Sequence, residues 1–241
     1  MTPLKPAFVD NCPVESGFRL RGLDMTRIEV FVDAAFAFAV TMLVISFDAI
    51  PTTYDEMILA IKSIPAFVVA VVQIVWIWQA HNTWSRRFGL ETAWTVALST
   101  ALLIVMLIYI YPLRIMAGGM FGWFTGGYLP SNFDLDTMDQ LRGMFVFLGV
   151  GFMALCLVFA MMYRYAAKLR EPLLLSDSEL YRVRTVLYLW TGAGGTGLLC
   201  VVLALALPVD WVPFSGFAFA LLAGWFPLLR WLRGKKAYGL D

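Results

Sequence analysis

Residues 26–50, TRIEVFVDAAFAFAVTMLVISFDAI, decide the fold. The stretch is almost wholly apolar, and as a helix it measures roughly 35 Å at 1.5 Å per residue, enough to cross a hydrocarbon core of about 30 Å. Yet it carries Arg27, Glu29 and Asp33 near its start, Thr41 in its middle and Asp48 near its end. A charged side chain at the centre of a bilayer costs about 2.5–3.5 kcal/mol even on lenient insertion scales. A helix that touched only lipid would have no use for these groups. The stretch therefore predicts a membrane helix that faces protein or water, with its polar groups marking a pathway.

The rest of the chain supports a membrane setting. Of its 241 residues, 61% are hydrophobic and only 15% charged, a composition that cannot cover a soluble core of this size and points to a polytopic membrane protein. A net charge of +1 gives no footprint for nucleic-acid binding. The first 24 residues hold six charged side chains and no apolar core of a cleavable signal, so the first span is expected to act as its own targeting signal. Cys12, Cys156 and Cys200 lack metal or redox spacing and read as small apolar fillers. With His81 as the only histidine, a multi-histidine metal site within one chain is excluded, and no cofactor is expected. No acid, base and nucleophile fall at one depth, so an enzyme is not expected either.

Six spans follow from hydropathy and punctuation, at about 27–50, 63–84, 93–116, 138–165, 186–207 and 212–231. They lie between an N-terminal arm (1–24) and a basic tail (234–241), within a membrane domain of residues 25–233. Thr26-x-x-Glu29, Thr53-x-x-Glu56 and Ser176-x-x-Glu179 each fit a capping box, in which hydroxyl and carboxylate satisfy orphan backbone donors at a helix start. Pro112 is expected to kink or end the third span, and Gly118 to open a structured outer loop through Thr137. Six spans put both ends on one side. Of the 18 Lys and Arg residues, only Lys62, Arg114 and Arg142 fall on the opposite side, where most of the span-flanking Asp residues lie. The positive-inside rule then makes both termini cytosolic. Spans 4–6 carry no copy of the charged motif in span 1, which lowers an inverted-repeat transporter and favours a pathway assembled from several copies of one span. Gly192-x-Gly194-x-x-Gly197 spells a dinucleotide fingerprint, but it sits inside a span with no preceding strand, so close helix packing is the better account.

Helical spacing places Val30, Ala34, Phe38 (with Ala37), Thr41, Ile45 and Asp48 on one stripe of the first span. Around a symmetry axis that stripe would supply a tight apolar ring at Phe38, a hydroxyl layer at Thr41, a second apolar ring at Ile45 and carboxylates at the outer mouth from Asp48. Hydroxyl oxygens replace part of a cation's hydration shell, apolar constrictions gate by dewetting, and a carboxylate ring concentrates cations. The plainer alternative has Thr41 bonding its own helix carbonyl four residues back, with the apolar residues facing lipid or core. Arg27 and Asp33 are six apart, too far to pair on one helix face, so each needs a partner elsewhere. Trp78 and His81 on the second helix lie at a similar depth. A polar cluster of Arg27, Asp33, Trp78 and His81 would satisfy several buried groups at once; alternatively His81 is an interfacial residue with a single hydrogen bond.

These residues carry a resemblance. Residues 27–33, RIEVFVD, with the apolar run that follows, resemble the signature R-x-x-x-F-S-D of the transmembrane protein 175 family of potassium channels. WQAH at 78–81 resembles that family's W-x-x-H on the second helix, and Pro65 fits its pattern too. The resemblance is sharp over 27–50 and 65–88 and architectural elsewhere. It implies an all-α, six-span protein that assembles as a homotetramer around helix 1, without a re-entrant filter loop. It further implies a hydrophobic constriction at Phe38, a threonine layer tied to potassium preference at Thr41 and a second apolar ring at Ile45. Arg27, Phe31, Asp33, Trp78 and His81 would belong to the signature and the network holding the pore helices. Two positions depart from the pattern: Val32 replaces the signature serine, and Phe38 replaces the usual Leu or Ile. The expected function is a potassium-permeable leak channel of the inner membrane. Its partners are potassium ions near Thr41 and the lipid bilayer. The alternatives are a proton-permeable pathway and a non-conducting relative occluded at Phe38.

Overall fold

The element order is α1 (Pro6–Asp10), a hairpin of β1 (Val14–Glu15) and β2 (Phe18–Arg19), α2 (Arg27–Ile45), α3 (Tyr54–Phe88), α4 (Ala93–Phe124), α5 (Met138–Lys168), α6 (Asp177–Ala206), a 3₁₀ segment (Val209–Ala220) and α7 (Leu221–Tyr238). The computed structural model describes residues 3–45, 51–131 and 137–238. Side-chain caps set where the long helices start. Glu29 N–H donates to Thr26 Oγ1 at 3.2 Å, and Thr26 N–H donates to Glu29 Oε2 at 2.7 Å. Thr53 with Glu56 and Ser176 with Glu179 form the same reciprocal box at α3 and α6. Thr92 and Thr137 cap α4 and α5 by accepting one backbone N–H each. Each hydroxyl relieves a donor that the helix cannot satisfy internally.

Helices α3, α4, α5 and α6, and the stretch Val209–Arg233, are long and apolar enough to cross a membrane, and α2 precedes them as a helix of 19 described residues. The chain is thus a multi-pass membrane protein, all-helical among the described residues apart from one small hairpin. Packing runs in series. α2 packs on α3 and α4, α5 packs on α4 and α6, and α7 with the 3₁₀ segment packs on α6. This leaves α2 at one side of the bundle and the α6–α7 pair at the other.

The glycines at 192, 194 and 197 act in close packing. A Cβ on Gly197 would sit 2.8 Å from the Gly149 carbonyl oxygen of α5, and a Cβ on Gly149 would sit 2.7 Å from the Gly197 carbonyl oxygen. The two backbones meet at a point where neither helix can carry a side chain. Nearby, Trp190 stacks on Phe159 at 4.2 Å between ring centroids.

One expectation needs correction. The outer loop does not open at Gly118: α4 passes through Pro112, the residue expected to kink or end it, and runs to Phe124. A broken helix in hydrocarbon would strand backbone groups with no water to satisfy them, so the helix absorbs the one missing N–H. The turn falls instead at Gly126 and Gly127, both at positive φ (60° and 87°). The last expected span, 212–231, falls within the apolar stretch Val209–Arg233, which opens as a 3₁₀ segment holding Pro213 over 209–220 before α-helix begins at Leu221. The N-terminal arm folds onto the bundle. Ser16 and Gly17, both at positive φ, close β1 onto β2 in the manner of a two-residue primed turn. Phe18, 1% exposed, packs its ring edge-on to Phe88 at the end of α3. Gly22 N–H donates to the Arg86 carbonyl at 3.0 Å, and Gly22 and Gly89 meet with no room for a Cβ on either.

A buried ion pair fastens the arm to α6. Arg21 Nη2 lies 2.9 Å from Glu179 Oε2, with both side chains almost fully enclosed. Arg21 Nε also donates to the Leu173 carbonyl at 2.9 Å, and Arg19 N–H donates to Glu179 Oε1 at 2.9 Å. Glu179 thus caps α6 and neutralises Arg21 with the same carboxylate. Removing one partner leaves a buried charge uncompensated. Arg21→Met is therefore expected to lower stability by about 3–5 kcal/mol, read as a drop in the thermal midpoint of the purified protein in detergent. Gly197→Ala, which drives a methyl into the Gly149 carbonyl, should cost about 1–3 kcal/mol in the same assay, whereas Gly195→Ala, where a Cβ meets nothing, should be neutral.

Candidate functional site

The rotation of α2 about its own axis separates its residues into two faces. Val32, Phe36, Ala39 and Leu43 are at most 3% exposed and pack inward at helical spacing. Arg27, Val30, Phe31, Ala34, Ala37, Phe38, Thr41 and Val44 are exposed on the opposite face. Phe38 is 59% exposed and Phe31 60%, while the other side of the same helix is fully packed. The stripe read from spacing thus lies on the outward face for Val30, Ala34, Phe38 and Thr41. The side chain of Ile45 and all of Asp48 lie outside the described residues.

Two hydrogen bonds to α3 hold this rotation. Trp78 Nε1 donates to Asp33 Oδ1 at 2.7 Å, and Ser85 Oγ donates to Glu29 Oε1. Glu29 is therefore both cap and anchor, and the carboxylates of α2 turn toward protein rather than onto the exposed stripe. A third tie lies at the far end, where Arg114 Nη1 of α4 donates to the Leu43 carbonyl at 3.4 Å.

The four residues expected to form one cluster are only partly together. Asp33 and Trp78 are bonded directly. His81, 2% exposed, is buried rather than interfacial, and its Nε2 lies 3.1 Å from Ser99 Oγ on α4. Arg27 is exposed and forms no ion pair among the described residues. Trp78 and His81, one turn apart on α3, thus join it to two different neighbours, α2 and α4. Ser85 and Ser99 were not singled out from sequence. Ser85 sits one further turn along the face that carries Trp78 and His81, so extending that motif by four residues would have found it. Nothing local marks Ser99.

Thr41 Oγ1 donates to the Ala37 carbonyl at 3.1 Å, the local bond expected of a mid-helix threonine. That bond uses the hydroxyl's only proton. Its lone pairs remain on an exposed oxygen.

Comparison with known proteins bears on these same residues. The family model described as "Endosomal/lysosomal potassium channel TMEM175" matches residues 27–112, which begin at Arg27 and take in α2, α3 and the first part of α4. A protein named "Potassium channel" from Marivirga tractuosa is 32% identical over 220 residues, covering 88% of this chain and 85% of that protein. The crystal structure of a variant of the potassium channel MtTMEM175, in complex with a nanobody–MBP fusion protein, aligns with a TM-score of 0.80 at 29% identity, over 92% of this chain and 99% of that one. These relatives are ion channels and not enzymes. The chain, a multi-pass membrane protein with the signature stretch on α2 and α3, belongs to the TMEM175 family of potassium channels.

Proposed function

We propose that this protein is a potassium-permeable leak channel of the inner membrane. Four copies surround one axis with their α2 helices innermost. Each copy crosses the membrane six times, with α2 and the five other apolar stretches as spans and both termini cytosolic. The observation that carries this reading is the outward face of α2. A helix held by two part-buried carboxylate bonds, with Phe31, Phe38 and Thr41 exposed along one line opposite its packed side, is suited to a shared axis. The likeness to named potassium channels supports the choice of ion.

In this assembly the side chains along α2 divide the work. Phe38 from each copy forms the narrowest ring, where an apolar constriction excludes water until the rings move. Thr41, one turn beyond, offers oxygen lone pairs to an ion that has shed part of its hydration shell, its proton being held by Ala37. Ile45 forms a second apolar ring, and Asp48 concentrates cations at the outer mouth. Arg27 and Phe31 lie at the cytosolic end of the same face. Asp33–Trp78 and His81–Ser99 keep α2, α3 and α4 in register.

The test is flux in liposomes under a potassium gradient and, in parallel, a proton gradient. Wild type should pass potassium ahead of protons. Phe38→Ala should raise the flux, and Thr41→Ala should reduce the preference for potassium over sodium. Potassium flux unchanged by both substitutions would sink the assignment of the stripe. Flux only in Phe38→Ala would identify an occluded relative, and flux of protons alone would favour a proton pathway. Trp78→Phe keeps the ring but removes the donor to Asp33, a bond to a charged group with a typical net contribution of about 1.5–3 kcal/mol. The tetramer should then dissociate at lower temperature in size-exclusion measurements, with Trp76→Phe as the control.

A further inference from the structure

On the side of the bundle away from α2, helices α6 and α7 leave a groove of about 450 Å³ lined by Tyr188, Thr191, Gly192, Trp225, Leu229 and Arg233. Its walls follow from spacing: 188 and 192 share one face of α6, and 225, 229 and 233 share one face of α7. Gly192 sets how closely the walls approach, since a Cβ there would fall 2.2 Å from the Trp225 ring. The Trp225 indole N–H is already satisfied by the Leu189 carbonyl at 3.3 Å, so the ring presents an apolar surface.

The groove ends in a fixed positive charge. The Arg233 guanidinium lies 4.4 Å from the Tyr188 ring centroid and 5.1 Å from that of Tyr181. Its Nη1 donates to Thr185 Oγ1 at 3.2 Å. No carboxylate lies within ion-pair distance of it among the described residues. An arginine that merely reached for water would extend freely. This one is held between two aromatic rings and a hydroxyl, with donors left over and no anion from the protein. Its height along the bundle is set by Thr185, less than two turns from Glu179, the residue paired with the folded arm. In the proposed orientation this is the arm-side end of the candidate span Val209–Arg233, at the level of lipid headgroups, with the apolar part of the groove running deeper.

From this we infer that the α6–α7 groove binds an anionic phospholipid of the cytosolic leaflet, its phosphate on Arg233 and an acyl chain along Tyr188, Gly192 and Trp225. The inference rests on the proposed orientation and on α2 lying at the axis, which turns this face to lipid. Charge complementarity chooses the occupant. A zwitterionic lipid brings its own ammonium beside the phosphate and gains less from an unneutralised guanidinium, while free phosphate leaves the apolar groove unfilled.

Native mass spectrometry of the full chain in detergent tests it, with dioleoyl phosphatidylglycerol, dioleoyl phosphatidylcholine or inorganic phosphate added. Wild type should retain the phosphatidylglycerol about fivefold better than the phosphatidylcholine, up to one per chain. Arg233→Gln should lose that preference. Tyr188→Leu, which keeps the charge but removes the closer ring, should weaken it, and Lys168→Gln should leave it intact. Equal retention of the two lipids by wild type, an unchanged Arg233→Gln, or an equal loss in Lys168→Gln would overturn the site. Displacement by millimolar inorganic phosphate would overturn the lipid as occupant. The same spectra report the oligomer mass separately. A dimer that still discriminates through Arg233 would remove the tetrameric pore and leave the groove, and a tetramer that does not discriminate would do the reverse.

Discussion

The hydrogen bond from Trp78 to Asp33 decides which face of α2 the molecule presents. Hydrophobicity alone could not do so, because α2 is apolar almost all round and Phe36 and Phe38 are equal in transfer energy. A rotation of the helix by about 200°, two residues at about 100° each, would exchange one ring for the other. Asp33 breaks that degeneracy. A carboxylate at membrane depth must find a donor or incur the cost of an unsatisfied charge, and Trp78 Nε1 supplies one at 2.7 Å. Ser85 on Glu29 repeats the constraint one turn earlier. With these two points fixed, Val32, Phe36, Ala39 and Leu43 have only the α3–α4 side to occupy, and Phe38 and Thr41 have only the other.

The same economy appears outside the membrane helices. Glu29 and Glu179 each cap a helix and also bond a distant element, Ser85 in one case and Arg21 in the other. The arm therefore reaches both ends of the series. Through Gly22 and Phe18 it rests on the last turn of α3, and through Arg21 it closes on α6. It runs directly into Thr26, the cap of α2. Helix α2 thus begins a few residues beyond contacts with both the α3 and the α6 sides of the bundle.

Much of this was legible in the residues, and the exceptions have physical causes. Capping boxes are local, three residues wide, and all three read from sequence are formed. The signature stretch on α2 and α3 is likewise local, and it led to the family. Long-range polar pairing was not legible. Arg21 and Glu179 are separated by 158 residues, and neither has a motif that names the other; an arm rich in charge reads as solvated until Phe18 and Arg21 prove to be buried. The pairing of His81 with Ser99 on α4 was not legible because a serine in a membrane helix carries no directional signal in sequence. Pro112 left a kink or an end open, and α4 continues through it. In water a proline predicts a helix end, whereas in hydrocarbon the alternative to a continued helix is several unsatisfied backbone groups, and continuation wins.

The departure at Phe38 can be weighed against its neighbours on the same face. Ala34 and Ala37 flank it toward the arm end, and Thr41 follows one turn beyond. Small residues on one side of a large ring leave it space to swing along the helix rather than only across the axis. In the proposed assembly a ring laid toward Ala34 and Ala37 uncovers the path, and a ring laid across the axis closes it, with Thr41 undisturbed in both positions because its proton stays on Ala37. In that assembly Phe38 would close by orientation, so the same stripe that would form the barrier would also hold the room for its removal.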